Sequence, residues 1–269
     1  MEKSYADTVR LLLTVAPEVF ANDIFAMKGG TAINLFLRDM PRLSVDIDVV
    51  YLPREKSRDE ALRDVNQQLA AISERIFKLG LHARLIPARN LGDTKLIVES
   101  ETSQVKIEVN VVFRGSVLPP ERRRLSARTS DRFSVEFDLP ILAPDELYGG
   151  KLVAALDRQH PRDLFDVWQL YESERAFVGM SEVECSLETL TETRARLQRE
   201  LVVRLTDSQR QFLIGLARAE PDWSLLMCRH AQELPALRWK LSNLEMFRKK
   251  RPEDFEAQAR ALESGLGQA

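Results

Sequence analysis

Between Lys28 and Tyr51 the chain reads KGGTAINLFLRDMPRLSVDIDVVY, and no other stretch restricts its fold as strongly. Two adjacent glycines make a tight turn, a short helix opens at Thr31, the chain returns through Pro41, and a strand begins near Ser44. From there Val45, Ile47, Val49 and Tyr51 alternate with Ser44, Asp46 and Asp48. Side chains of a strand point to opposite faces in turn, so the apolar set makes one face and the acids share the other. Two carboxylates on one face repel unless positive charge stands between them, and a hard divalent cation such as Mg²⁺, which takes oxygen ligands, meets that need. Gly29 and Gly30 lack a Cβ and let backbone N–H groups approach a ligand. The helix that follows adds partial positive charge, so the turn can cradle phosphates. Metal beside phosphate suggests a nucleotide. Each half also has an ordinary structural reading, as a plain turn and as a solvated strand face.

The rest of the chain supplies the elements around this stretch. Residues 4–20 read as a helix, since Val9, Leu12, Leu13 and Ala16 recur at helical spacing, and Ile24 to Met27 read as a short strand into the glycines. Ser57 with Glu60 forms a capping box for a helix whose stripe is Leu62, Val65, Leu69, Ile72, Ile76 and Leu79, with Gly80 placed to end it. Strands follow at Leu81 to Ile86, Lys95 to Glu99 and Gln104 to Phe113. In the last, Val105, Ile107, Val109, Val111 and Phe113 are apolar, leaving Lys106, Glu108 and Asn110 on the other face. Glu108 is therefore either a third metal ligand or part of a polar outer face. Residues 121–132, ERRRLSARTSDR, read as a basic, structureless connector whose arginines are solvated or touch polynucleotide phosphates, and a short strand follows from Phe133 to Asp138.

From Pro144 the chain turns helical, with Asp145 and Glu146 suiting the first turn. Lys151 shares a stripe with Leu147 and Ala154, so it either snorkels or meets a phosphate group. A second helix opens at Pro161 with Leu164, Val167, Trp168 and Tyr171 as its apolar set. There Asp163 can cap the helix and Arg162 can pair with Asp166. A helical bundle is expected from about Ser181, with stripes at Leu187, Leu190, Leu197, Leu201 and at Leu234, Leu237, Leu241, Leu244, and with Asp207 capping the helix between. The basic cluster Arg248 to Arg251 is either a solvated helix end or a nucleic-acid contact.

Composition excludes several classes. The 269 residues hold 39 basic and 41 acidic side chains, so global charge gives no argument for nucleic acid. No run of about 18 apolar residues exists and the N-terminus lacks a secretory layout, so a cytoplasmic protein without a membrane partner is expected. Cys185 and Cys228, with His82, His160 and His230 scattered, make neither a disulfide framework nor a zinc site.

Gly29-Gly30, thirteen residues and then Ser44-Val45-Asp46-Ile47-Asp48 resemble the signature of nucleotidyltransferases related to DNA polymerase beta. The resemblance implies that Gly29, Gly30, Thr31 and Ser44 bind the nucleotide. It implies that Asp46 and Asp48 hold catalytic Mg²⁺, two ions in that superfamily, and makes Glu108 the third acid where Asp is commoner. The segment ELYGGKLVAALDRQHPRDLFDV, carrying Lys151, Arg162, Asp163 and Asp166, resembles a second signature, that of the AbiEii/AbiGii toxin family with its MenT-type nucleotidyltransferases. By this resemblance Lys151 is catalytic and nucleotide-binding, Arg162 binds nucleotide, and Asp163 belongs to the active site as a base or as an orienter of Lys151 and Arg162.

The fold so implied is α+β: a nucleotidyltransferase-type mixed sheet with flanking helices in residues 1–140, then a helical domain in residues 141–269. The function so implied is an NTP- and Mg²⁺-dependent toxin that adds nucleotides to the 3′ end of tRNA and blocks translation, countered by a cognate antitoxin. Small-molecule or protein acceptors remain open, as does a non-catalytic module that binds nucleotide and antitoxin. The presence of Asp46, Asp48 and Lys151 counts against a decayed site.

Overall fold

The computed structural model describes residues 3–86, 94–158, 160–173, 186–228 and 230–267. Cys185 and the expected start of the bundle near Ser181 lie outside them. Contacts along the backbone divide the chain into two units, Met1–Cys185 and Ser186–Ala269.

The first unit opens with helix α1 (Lys3–Val19), which buries Val9, Leu12, Leu13 and Ala16 as their spacing requires. Strand β1 (Phe25–Lys28) runs into the glycines. Helical hydrogen bonding begins at Gly29 itself, not at Thr31, in the short α2 (Gly29–Ala32), which passes directly into a π-helical turn at Ile33–Leu37. Strand β2 (Ile47–Tyr51) starts later than Ser44. Its ladder with β1 ends at the pair Lys28 and Asp48, because Gly29, at φ +80°, turns the chain away and leaves residues 44–46 no partner on that side.

Helix α3 (Arg58–Lys78) carries the expected capping box: Ser57 Oγ accepts from Glu60 N–H at 3.3 Å and Glu60 Oε2 accepts from Ser57 N–H at 2.8 Å. Replacing Ser57 by alanine should cost about 1 kcal/mol in chemical denaturation, since it orphans a helix-end donor. Strands β3 (His82–Ile86), β4 (Thr94–Glu99) and β5 (Gln104–Asn110) follow. Strand β5 stops short of the expected Phe113 because Asn110 Oδ1 accepts from both Val112 and Phe113 N–H at 2.9 Å, closing a turn that leaves Phe113 56% exposed.

The expected connector is ordered instead. It forms strand β6 (Glu121–Arg124) and helix α4 (Ala127–Phe133), and the strand placed at Phe133 to Asp138 is β7 (Asp138–Ile141). Strand β6 is a charged sheet edge whose arginines pair locally, Arg122 with Asp138 at 2.6 Å and Arg123 with Glu121 at 2.8 Å. Helices α5 (Pro144–Asp157) and α6 (Pro161–Ser173) complete the unit. They pack on each other and α5 touches α2, so the change of sequence character near residue 140 precedes the division by contacts at 185.

The seven strands form one mixed sheet in the order β3-β4-β5-β2-β1-β7-β6, with β2 parallel to β5, β1 parallel to β7 and the other pairs antiparallel. The α+β class with a mixed sheet and flanking helices is thus observed. Ile47, Val49, Val105, Ile107 and Val109 join the inner stripes of α1 and α3 in one apolar core. That leaves the alternate residues of β2 and β5 on the opposite face.

The second unit holds α7 (Leu187–Arg204), α8 (Asp207–Ala217), α9 (Pro235–Lys250) and α10 (Pro252–Gly267), with α10 packed on α8 and α9. Two expectations fail here. The cap of α8 is Thr206, in a capping box with Gln209, and Asp207 is its first helical residue. Of the α7 stripe only Leu197 is buried, while Leu187 is 78% exposed; helix α9 buries none of its residues. Among the described residues no helix is long and apolar enough to cross a membrane.

Candidate active site

The site grows from the sheet face opposite the core. Register pairs Lys28 with Asp48, Asp48 with Glu108, and Glu108 with Lys95. Directly paired residues share a face, so β1, β2, β5 and β4 carry a row of plus, minus, minus, plus. Lys106, two residues before Glu108, joins them: its Nζ stands 2.7 Å from Glu108 Oε2 and 3.9 Å from Asp46 Oδ1. Lys95 Nζ reaches Glu108 Oε1 at 3.1 Å. Burial pushes the Asp48 carboxyl above its ordinary range. Lys28 opposes this, and the neighbouring Asp46 and Glu108 add to it.

The glycine turn closes one side. A Cβ on Gly29 would stand 2.2 Å from Asp48 Oδ2, and one on Gly30 would meet the Arg42 guanidinium at 2.3 Å and Ser44 Oγ at 3.1 Å. Buried Thr31 hydrogen-bonds the Ser44 hydroxyl at 3.0 Å. Gly29→Ala combines a left-handed φ with this close approach, so we expect a loss of about 1–2 kcal/mol in stability and, with Asp48 pushed aside, at least about tenfold lower activity. Denaturation and activity assays on the one variant check both.

Helices α5 and α6 form the other side. Lys151 is buried on the α5 stripe with Leu147 and Ala155, and its Nζ donates to Asp163 Oδ1 at 2.8 Å and meets Asp166 Oδ2 at 2.9 Å. Asp163 also accepts from Arg158 Nε at 2.6 Å, and Asp166 takes both ends of the Arg42 guanidinium at 2.6 and 2.7 Å. The local expectations for this helix are therefore corrected. Among the described residues Asp166 pairs with Arg42 and Lys151 rather than with Arg162, and the cap is His160, whose Nδ1 accepts from Arg162 N–H at 3.2 Å. Tertiary partners outbid local ones because these acids face inward, and a buried carboxylate requires a cation.

Burial alone would raise the Asp163 carboxyl, but hydrogen bonds from Arg158 and Lys151 outweigh it and hold it at about 2. With the folded value below the unfolded one, the resulting stability is present above about pH 4 and is lost as pH falls toward 2. We expect on the order of 1–2 kcal/mol from this source. Urea titrations between pH 5 and pH 2.5 should show a smaller acid loss in Asp163→Asn than in the parent.

These walls enclose a cavity of about 350 Å³. Of the expected site residues, Gly30, Ser44, Asp46, Asp48, Glu108, Lys151, Arg162 and Asp163 line it, and Gly29 and Thr31 adjoin it, Gly29 against Asp48 and Thr31 against Ser44. Arg42, Lys106, Arg158 and His160 line it as well and were missed. Lys106 had a signal, since it shares the period-2 face of Glu108, and so had Arg158, two helical turns after Lys151. Arg42 had none, because its partner Asp166 is 124 residues away.

The oxygen donors Asp46, Asp48 and Glu108 suit a hard divalent ion by their chemistry. Among the described residues, however, no three acid, histidine or cysteine side chains stand together as a ready coordination sphere. A cavity with carboxylates on one wall and a lysine and arginines on the other can take a nucleotide's phosphates beside a cation. The profile of the family described as Nucleotidyl transferase AbiEii toxin, Type IV TA system, matches residues 10–265. The chain belongs to this family and is a nucleotidyltransferase of the toxin type. Among solved structures it is similar to MenT4, a nucleotidyltransferase toxin from Mycobacterium tuberculosis H37Rv, at 17% identity and a TM-score of 0.46 over 99% of this chain and 94% of that one. A comparison with curated protein sequences gives no match.

Proposed function

We propose that this cavity transfers an NMP group from an NTP to the 3′ end of tRNA, with Mg²⁺ held by Asp46, Asp48 and Glu108. The observation that carries the reading is the meeting, on one cavity, of three carboxylates from one sheet face with Lys151, Arg158 and Arg162 from two helices. One wall suits the cation and the other suits the triphosphate.

In this reading the backbone at Gly29 and Gly30 and the Ser44 hydroxyl, oriented by Thr31, grip the triphosphate. Lys151, steadied by Asp163 and Asp166, sets its charge against the outer phosphates, and Arg158 and Arg162 flank it. Divalent ions, when bound, lower the pKa of the attacking hydroxyl and offset charge on the leaving oxygen. The hydroxyl oxygen bonds to the α-phosphorus as its proton passes to solvent, the bond from the α-phosphorus to the bridging oxygen breaks, and pyrophosphate departs with that oxygen. Asp163 acts as the orienter of Lys151 and Arg158, since a carboxylate held at about 2 is a poor proton acceptor near neutral pH.

The tRNA acceptor follows from the resemblance to MenT-type toxins, and a cognate antitoxin follows from membership of a toxin–antitoxin family. Incubation of the purified protein with each labelled NTP, Mg²⁺ and total RNA should label tRNA-sized species, and chelation should stop it. Label on protein or small-molecule acceptors instead would replace tRNA in this reading, and no label on any acceptor would overturn transfer altogether.

A further inference from the structure

Lys106 is a cation of the charged face that lines the cavity and that the transfer chemistry above does not use. Lys106 lies on β5 with its ammonium 2.7 Å from Glu108 and 3.9 Å from Asp46. Asp48 stands directly across the ladder from Glu108, on the same face. One ammonium therefore bridges Glu108 and Asp46, with Asp48 paired beside Glu108. Lys95 differs: it meets Glu108 from the β4 side and does not line the cavity.

An ammonium and a divalent ion contend for the same oxygens. If both touched Glu108 they would repel at short range, and the cost is large where water is partly excluded. A cation arriving at these acids therefore has to move Lys106. A displaced ammonium needs a new anion, and the cavity that Lys106 lines is also the place assigned to the triphosphate.

We infer that Lys106 is an internal counter-cation of the three acids, displaced when the metal binds and then taken up by the nucleotide's phosphates, so that metal and NTP bind cooperatively. The inference rests on the reading of Asp46, Asp48 and Glu108 as metal ligands. Lys106 is a positioning residue in this scheme: it keeps the carboxylates grouped and sets the threshold for a free ion. Linkage requires that each ligand raise the other's affinity by the same factor.

Mn²⁺ is the probe, its binding read by electron paramagnetic resonance and calorimetry on the full chain, with and without an NTP analogue that cannot be cleaved between its α- and β-phosphates. In the parent protein the analogue should tighten Mn²⁺ binding by about tenfold or more. Lys106→Met should bind Mn²⁺ alone about tenfold more tightly, and the analogue should then add under about threefold. Lys106→Gln serves the same purpose if the methionine variant folds poorly, as judged by thermal melting. Lys95→Met, which removes a charge that meets Glu108 alone and from outside the cavity, should tighten Mn²⁺ binding less than Lys106→Met does and leave the effect of the analogue as in the parent. The inference is overturned if Lys106→Met binds Mn²⁺ no better than the parent, or if Lys95→Met tightens binding equally. Asp48→Asn and Glu108→Gln separate the two levels. Unchanged Mn²⁺ binding in both would sink the ligand assignment itself, whereas binding lost in both but unaltered in Lys106→Met would sink only the role of Lys106.

Discussion

Asp46→Ala is expected to lower nucleotidyl transfer by roughly 10³-fold or more while leaving the fold intact. The side chain is 47% exposed, stands just before the β2 ladder and has its nearest ion pair at 3.9 Å, so packing does not depend on it. On the proposed reading, removing it deletes charge that a divalent ion needs and little else. Stability should change by no more than about 0.5 kcal/mol, as for other exposed positions. Labelled-NTP transfer and thermal melting on the same preparation test both halves. Undiminished transfer would refute the assignment of Asp46, and a large drop in melting temperature would show that the acid is structural.

Lys151→Met should behave differently, losing activity and stability together. The ammonium is buried between Asp163 and Asp166 at 2.8 and 2.9 Å, and removing it leaves two buried carboxylates with Arg158 and Arg42 as remaining partners. Breaking a buried ion pair from one side costs about 3–5 kcal/mol. For a chain of this size that is a fall of about 10 °C in melting temperature. Adding Asp163→Asn to Lys151→Met should recover part of the loss without recovering transfer, because it removes one of the stranded charges. A lysine that only snorkelled would give a small change in melting temperature, and full transfer by Lys151→Met would remove it from the site.

The sequence disclosed its elements well where one physical rule acted alone. The stripe of α1, that of α3 apart from Leu79, which caps the helix end and is exposed, the Ser57 capping box and the alternation in β5 follow from periodicity and local hydrogen bonding, and are observed. The errors fall where a side chain or a neighbouring strand overrides the local pattern. Asn110 ends β5 early, and the basic run at 121–124 becomes a strand because β7 is there to pair with it. The leucines of α7 and α9 have helical spacing, yet of the α7 stripe only Leu197 is buried and α9 buries none.

Chain order alone determined that a diglycine bend precedes a strand with two acids on one face, and that a lysine and an Arg-Asp pair follow on helices, because these depend on residue type and spacing. Only tertiary structure decided which charges meet. Sheet register set Glu108 beside Asp48 and brought Lys106 and Lys95 to it, and helix packing gave Asp163 and Asp166 to Lys151, Arg158 and Arg42. The reason is that a carboxylate's partner is selected by distance and dielectric in the folded chain, and neither quantity exists until strands and helices have come together.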